Sequence, residues 1–216
     1  MSRQVSAFRW VPPFAQGYVR DLRVRWALDE AGFAYETTLV DPQIKQSAEY
    51  RQWQPFAQVP AYRDDQVDMF ESGAIVLHIA SQSDKLAPKD AAGWARTVTW
   101  IFAAMNSIEP HVQNFLDLDG PHAGEAWAQN RRQQTEAKLD ARLKSLAAWL
   151  GDRDYLEERF TAADLIMTTV LRELVDSRFL LRHPALDAFR LRCEQRPAFG
   201  RALEAQMQTF RENAPA

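Results

Sequence analysis

The 216-residue chain is 46% hydrophobic and 25% charged, which suffices for a buried core without disulfide or metal staples. Its 26 basic and 29 acidic residues give a net charge of −3 with no long block of one sign, which excludes a polyanion-binding tail and argues against nucleic acid as a partner. Charge breaks every apolar run before the roughly 18 to 20 residues that a membrane span needs, and MSRQVSAFRW lacks the apolar region of a signal peptide.

A cytoplasmic protein that neither spans nor binds a membrane is therefore expected. The single cysteine, Cys193, excludes an intrachain disulfide and a paired-thiol redox motif. The four histidines, His78, His111, His122 and His183, show no metal-ligand spacing, so no metal is expected.

In chain order, Val5 to Trp10 reads as a strand and Val19 to Ala31 as a helix, with Gly32 as its C-terminal stop. Tyr35 to Val40 reads as a second strand. Pro60 to Arg63 and Val67 to Phe70 read as a hairpin around Asp64-Asp65-Gln66, and Ser72 to Ala80 as a helix. The order βαβ-ββα predicts an α/β unit over residues 1–85. Strand signals stop after Leu86-Ala87-Pro88, and residues 86–216 are expected to form an all-helical second domain.

Two apolar stripes support that second domain: Leu139, Leu143, Leu146 and Leu150, then Phe199, Leu203, Met207 and Phe210. Between them, Phe160-Thr161-Ala162-Ala163-Asp164-Leu165 has the form of a capping box. Thr161 caps, Asp164 reaches back to its N–H, and Phe160 against Leu165 supplies the hydrophobic staple.

The chemistry concentrates between residues 56 and 80. A helix beginning at Ser72 offers unpaired N–H groups and a partial positive charge to an anion, and Gly73 leaves the backbone open to close approach. Glu71 beside it suits a cation, so the pair matches the amine and carboxylate of an amino-acid head. Pro60 cannot donate to a ladder, which leaves Val59 extended and open to pairing with a peptide. The simpler alternative is a bare helix start and a bare strand entry.

Gln54-Pro55-Phe56-Ala57-Gln58-Val59-Pro60-Ala61-Tyr62 and Phe70-Glu71-Ser72-Gly73-Ala74-Ile75 resemble the glutathione-binding core of cytosolic glutathione transferases, bacterial type. Phe160 to Ile166 resembles the capping box of that family's helical domain. His183-Pro184-Ala185-Leu186 and Arg196-Pro197-Ala198-Phe199 resemble its C-terminal pattern. The resemblance implies a thioredoxin-like N-terminal domain, a cis Pro60, a homodimer and a detoxifying transferase.

On that resemblance, glutathione is the co-substrate and a small electrophile the acceptor. The Val59 backbone would pair with the cysteinyl part of glutathione, Gln58 and Pro60 would flank it, and Glu71 and Ser72 would hold the γ-glutamyl amine and carboxylate. Lys45 or Gln46 would reach the glycyl end.

Catalysis in that family needs a donor to the glutathione sulfur, because a thiol of pKa about 8.5 is only a few per cent thiolate at neutral pH. Lowering it by about two units takes roughly 2.7 kcal/mol. The segment Arg9 to Arg20 departs from the family pattern: it is long and contains neither Ser nor Cys. Tyr18 falls near the catalytic position, with Gln16 or an N–H beyond Gly17 as alternatives, and Tyr18 otherwise only packs the helix start.

Arg20 and Arg23 share a helix face that could attract an anionic substrate or the glycyl carboxylate, with a solvated face as the favoured reading. The acceptor is expected between Val11 to Tyr18 and the second domain, with Trp94, Trp100, Met105, Asn106 and His111 as lining or, alternatively, core. Two other functions compete. One is a glutathione-dependent isomerase of the maleylacetoacetate type, whose Ser-Ser-Cys motif is missing here. The other is a non-enzymatic relative of stringent starvation protein that binds transcription machinery, against which Glu71 and Ser72 argue. A disulfide or dehydroascorbate reductase ranks last, because the first helix carries no cysteine.

Overall fold

A computed structural model of the chain describes residues 2–215. Four strands, β1 (Gln4–Phe8), β2 (Glu36–Val40), β3 (Ala61–Arg63) and β4 (Asp68–Phe70), form one mixed sheet in the order β2-β1-β3-β4. β1 runs parallel to β2 with Gln4 opposite Glu36. It runs antiparallel to β3, with Val5 opposite Tyr62.

The βαβ connection is α1 (Asp21–Ala31), followed by the short α2 (Ala48–Trp53) and by α3 (Ser72–Ser81) after the hairpin. This is the expected thioredoxin-like N-terminal architecture. Gly32 ends α1 with φ +77°, a conformation that L residues rarely adopt.

Element ends moved by at most two residues. β1 stops at Phe8 rather than Trp10, the N–H of Arg9 making a last bond to the Val40 carbonyl at 2.8 Å before the Pro12-Pro13 pair. The first helix starts at Asp21 rather than Val19. Leu22 and Arg23 donate to the Val19 and Arg20 carbonyls in short i→i+3 bonds, so Val19 and Arg20 belong to a turn. α2 escaped the sequence because six residues are too few to show a helical period. Ser47 caps it by accepting from Tyr50 N–H at 3.1 Å.

The helical region comprises α4 (Ala91–Phe102), α5 (Glu109–Asp119), α6 (Ala126–Leu150), α7 (Ala162–Arg172), α8 (Pro184–Glu194) and α9 (Pro197–Glu212). A π-helical stretch, Ala103–Ile108, joins α4 to α5. Contacts divide the chain into residues 1–88 with 195–216, and residues 89–194. Among the described residues no helix is long and apolar enough to cross a membrane.

In the second unit Leu139, Leu143, Leu146 and Leu150 are all buried, as their spacing predicts. The capping box at α7 forms: Asp164 accepts from Thr161 N–H and Leu156 N–H, both at 2.8 Å, and Thr161 Oγ1 accepts from Ala163 N–H. Burial pushes the Asp164 carboxyl up to about 6 against these donors, which leaves it ionised at pH 7.

In the first unit α9 packs on α1, with the Trp26 and Phe199 rings edge-on at 4.8 Å. Arg196 grips Glu30 through two bonds of 2.6 and 2.9 Å. The buried face of α9 runs Phe199, Ala202, Gln206, Phe210, whereas Leu203 and Met207 of the expected stripe are half-buried. Gln206 takes the inner position because it answers polar groups on α1.

The hairpin turn is tied by Asp64. It accepts from the N–H groups of Gln66 and Val67, from the Tyr62 hydroxyl at 3.0 Å, and pairs with His78 at 2.7 Å. Burial alone would raise its carboxyl, but His78 and these donors hold it down to about 2. A folded value below the unfolded one stabilises the fold above about pH 4, and that contribution is lost as pH falls through about 2. Asp64→Asn is expected to cost about 2 kcal/mol at pH 7. Unfolding midpoints of the parent and variant should converge as the pH approaches 2.

Candidate functional site

The hairpin places Ala61 opposite Phe70, so Val59-Pro60 and Glu71-Ser72 leave from the same end of the ladder. The Val59-Pro60 peptide is cis. The Val59 side chain is buried in a cluster with Val40, Tyr50, Trp53 and Ala61. No hydrogen bond among the described residues uses the Val59 N–H or C=O. Gln58 beside it is exposed.

This stretch is held from behind by hydroxyl groups that the sequence did not single out. Tyr50 donates to the Gln58 carbonyl at 2.6 Å, and Ala61 N–H donates to Ser6 Oγ at 2.7 Å. The two hydroxyls meet at 2.8 Å. Because Tyr50 spends its only proton on Gln58, Ser6 must donate to Tyr50. Trp53 Nε1–H fixes the other side by donating to the Tyr62 carbonyl at 2.9 Å.

Glu71, at the N-cap of α3, has φ +69° and ψ 110°. A non-glycine residue in that region costs of order 1–3 kcal/mol. Its side chain is exposed, makes no cap bond and has no partner among the described residues. The first N–H groups of α3 are thus left without a side-chain acceptor. Ser72 is buried, and its Oγ accepts from Arg23 Nη1 at 3.3 Å.

Arg23 corrects the sequence reading. It is 2% exposed and is not on a solvated face, whereas Arg20 is exposed as expected. Packing of α1 between α3 and α9 buries charges that composition alone assigns to water.

Tyr18 sits half-buried in the turn before α1, where Gly17 has φ +82° and Tyr18 N–H donates to the Ala15 carbonyl at 3.1 Å. Its neighbour Val19 packs on the cluster that contains Val59, which ties this turn to the hairpin end. The alternative Gln16 spends its amide on the Val11 carbonyl at 3.0 Å. Lys45 lies over the Phe8 ring at 5.6 Å, and Gln46 accepts from Arg51.

Of the residues expected to line an acceptor site, Trp100 commits its indole N–H to Glu157 at 3.0 Å and packs on Trp149. Trp94 is half-buried. Met105 and Asn106 ride the π-helical stretch, with Asn106 exposed. Burial, then the charges of Arg142 and Lys138, hold His111 below its ordinary value, which keeps it neutral at pH 7. Cys193 is fully buried, consistent with packing.

A cleft of about 840 Å³ opens between α2 and the sheet, lined by residues that include Thr38, Glu49, Trp53 and Arg63. It takes in none of Tyr18, Val59, Glu71 or Ser72, although it shares Tyr50 and Trp53 with the support of Gln58 to Tyr62. Among the described residues no group of three or more His, Cys, Asp or Glu could hold a metal ion.

A thioredoxin-like domain followed by an all-helical region is the glutathione transferase fold. Residues 15–81 match the family model "Glutathione S-transferase, N-terminal domain". The match covers the N-terminal domain, and the chain as a whole has the glutathione transferase fold. It is similar to glutathione S-transferase APIC of Nicotiana tabacum, 27% identical over 85% of this chain and 92% of the relative. It is also similar to disulfide-bond oxidoreductase YfcG of Escherichia coli, 27% identical over 67% of each chain. A solved glutathione transferase of Burkholderia graminis, with two glutathione molecules bound per subunit, superimposes with TM-score 0.82 at 22% identity, covering 94% of this chain and 88% of that one.

The Tyr50 hydroxyl bridges a strand hydroxyl and the Gln58 carbonyl, so Tyr50→Phe should leave both unsatisfied and cost about 1–3 kcal/mol. Denaturant unfolding measures the cost, and a variant as stable as the parent would contradict the support described above.

Proposed function

We propose that this chain is a glutathione transferase, joining the glutathione sulfur to a small electrophile. The observation that carries the reading is the shared end of the hairpin. There an unused Val59 backbone lies beside an unpartnered Glu71 in a costly conformation and an uncapped start of α3.

In this reading the N–H and C=O of Val59 pair with the cysteinyl residue of glutathione as an added strand would. Glu71 takes the γ-glutamyl amine. Ser72 and the first N–H groups of α3 take its carboxylate, where the helix dipole favours negative charge. Buried Arg23, bonded to Ser72 Oγ, adds positive charge behind that subsite. Gln58 and Pro60 flank the peptide.

Tyr18 is the group proposed to donate to the sulfur. The thiol proton passes to solvent, and the thiolate attacks the electrophilic carbon, displacing a leaving group or adding to an activated double bond. The helical region would choose that electrophile, and the working protein would be a homodimer.

The similarity to a disulfide-bond oxidoreductase favours one second reading, in which the bound thiolate attacks a disulfide sulfur instead of carbon and releases the other sulfur as thiolate. Buried Cys193 takes no part in that exchange. Turnover with a chloronitrobenzene-type electrophile against turnover with a small mixed disulfide separates the two.

Titration calorimetry of reduced glutathione tests the site itself. Glu71→Ala should weaken binding by about 10- to 100-fold, the worth of a charge-assisted hydrogen bond of about 1.5–3 kcal/mol. Its unfolding midpoint should barely move, because the Glu71 side chain has no partner among the described residues. Equal binding by parent and variant would remove the assignment.

Tyr18→Phe should raise the pKa of bound glutathione by about one to two units, read from thiolate absorbance against pH. An unchanged profile in a variant that still binds would transfer the donor role to Gln16 or to a turn N–H.

A further inference from the structure

The turn Gly17 to Asp21 is secured from the far end of the sequence. Gln206, 1% exposed on α9, donates through Nε2 to the Val19 carbonyl at 3.1 Å and to Asp21 Oδ1 at 2.7 Å. Asp21 is fully buried at the first position of α1, and its other oxygen accepts from Arg25 Nε at 2.7 Å. Burial pushes the Asp21 carboxyl up, against Arg25 and the Gln206 amide, which favour its charged form. Gln206 thus ties both ends of the two-residue step between the Tyr18 turn and the helix.

This contact is polar at a position where an apolar residue would pack α9 on α1 more simply. Phe199, Ala202 and Phe210 complete the same buried face. The Gln206 Oε1 atom is buried with no hydrogen-bond partner, an additional cost of placing an amide there. An amide at this position has its donors aimed at the turn, where a hydrocarbon would leave Asp21 short of a donor.

From this geometry we infer that Gln206 is a positioning residue for thiol activation: through its two bonds α9 holds the Tyr18 turn at a fixed place against Val59. The inference rests on the glutathione transferase reading, but not on which atom of the turn donates to the sulfur, since Tyr18, Gln16 and the N–H groups beyond Gly17 all ride on the same segment. The γ-glutamyl subsite at Glu71 and Ser72 lies on α3 and is not tied to Gln206. Gln206 therefore acts on the sulfur end of the ligand and leaves the anchoring end alone.

The test uses the full chain with Gln206→Met, which keeps side-chain length and removes both donors, and Gln206→Asn, which keeps the amide on a shorter stem. Hydrogen exchange of the ligand-free proteins comes first. Amides of residues 18–22 should exchange about tenfold faster in Gln206→Met, while those of residues 73–76 stay unchanged. Protection of 18–22 equal to the parent, or a uniform loss across both segments, overturns the strut.

With glutathione, Gln206→Met should keep its dissociation constant within about twofold while the pKa of the bound thiol rises by about one unit, a tenfold loss of thiolate below that pKa. Gln206→Asn should fall between parent and Met variant. A dissociation constant that weakens tenfold with the thiol pKa unmoved would overturn the positioning role. If the parent itself binds no glutathione, the transferase reading fails, and the exchange experiment still decides whether α9 holds the turn.

Discussion

Helix α1 is buried on nearly every side, and every charge it carries inward must be answered by protein. Asp21 is answered by Arg25 and Gln206, Arg23 by Ser72, and Glu30 by Trp26 and Arg196. Arg25 and Trp26 answer from α1 itself, and the other answers come from parts of the fold that adjoin the candidate site. Ser72 opens α3, Arg196 and Gln206 belong to the α9 segment, and the turn that ends at Asp21 carries Tyr18. Dehydrating these charges is costly, so a displacement of α1 breaks several bonds at once.

The second organising feature is the sheet end from which Val59-Pro60 and Glu71-Ser72 emerge. The Ser6–Tyr50–Gln58 hydroxyl chain and the Trp53 indole fix the backbone on one side of it, and the helix start with its strained N-cap lies on the other. The groups of the support bond to one another, while among the described residues the Val59 backbone and the Glu71 carboxylate are left unused. That asymmetry, held from behind and unsatisfied in front, is what the proposed glutathione site rests on.

The fold was legible because its signals are local. Alternating and helical apolar periods, Gly32 as a stop, the Asp64 turn and the Thr161 capping box each act within a few residues, and each is present within a residue or two of its expected place. Val59, Glu71 and Ser72 could be singled out as candidates for the same reason, since a proline-led strand and a helix start lie within one hairpin. Arg23, Ser6, Tyr50 and Gln206 were not found. The Ser6–Tyr50, Arg23–Ser72 and Gln206–Val19 pairs span 44 to 187 residues, and nothing about an arginine, a serine or a glutamine in isolation says that it is buried.

By itself the sequence determined the order of elements, the switch from mixed to helical structure and the residue types available to an amino-acid head, because these depend on short-range backbone and side-chain preferences. Only the tertiary structure decided that α9 returns to pack on α1, that Arg23 stands behind Ser72, and that Glu71 adopts a positive φ with its carboxylate unpaired among the described residues. Those outcomes follow from which surfaces lose water together, a quantity defined by the folded arrangement of distant segments.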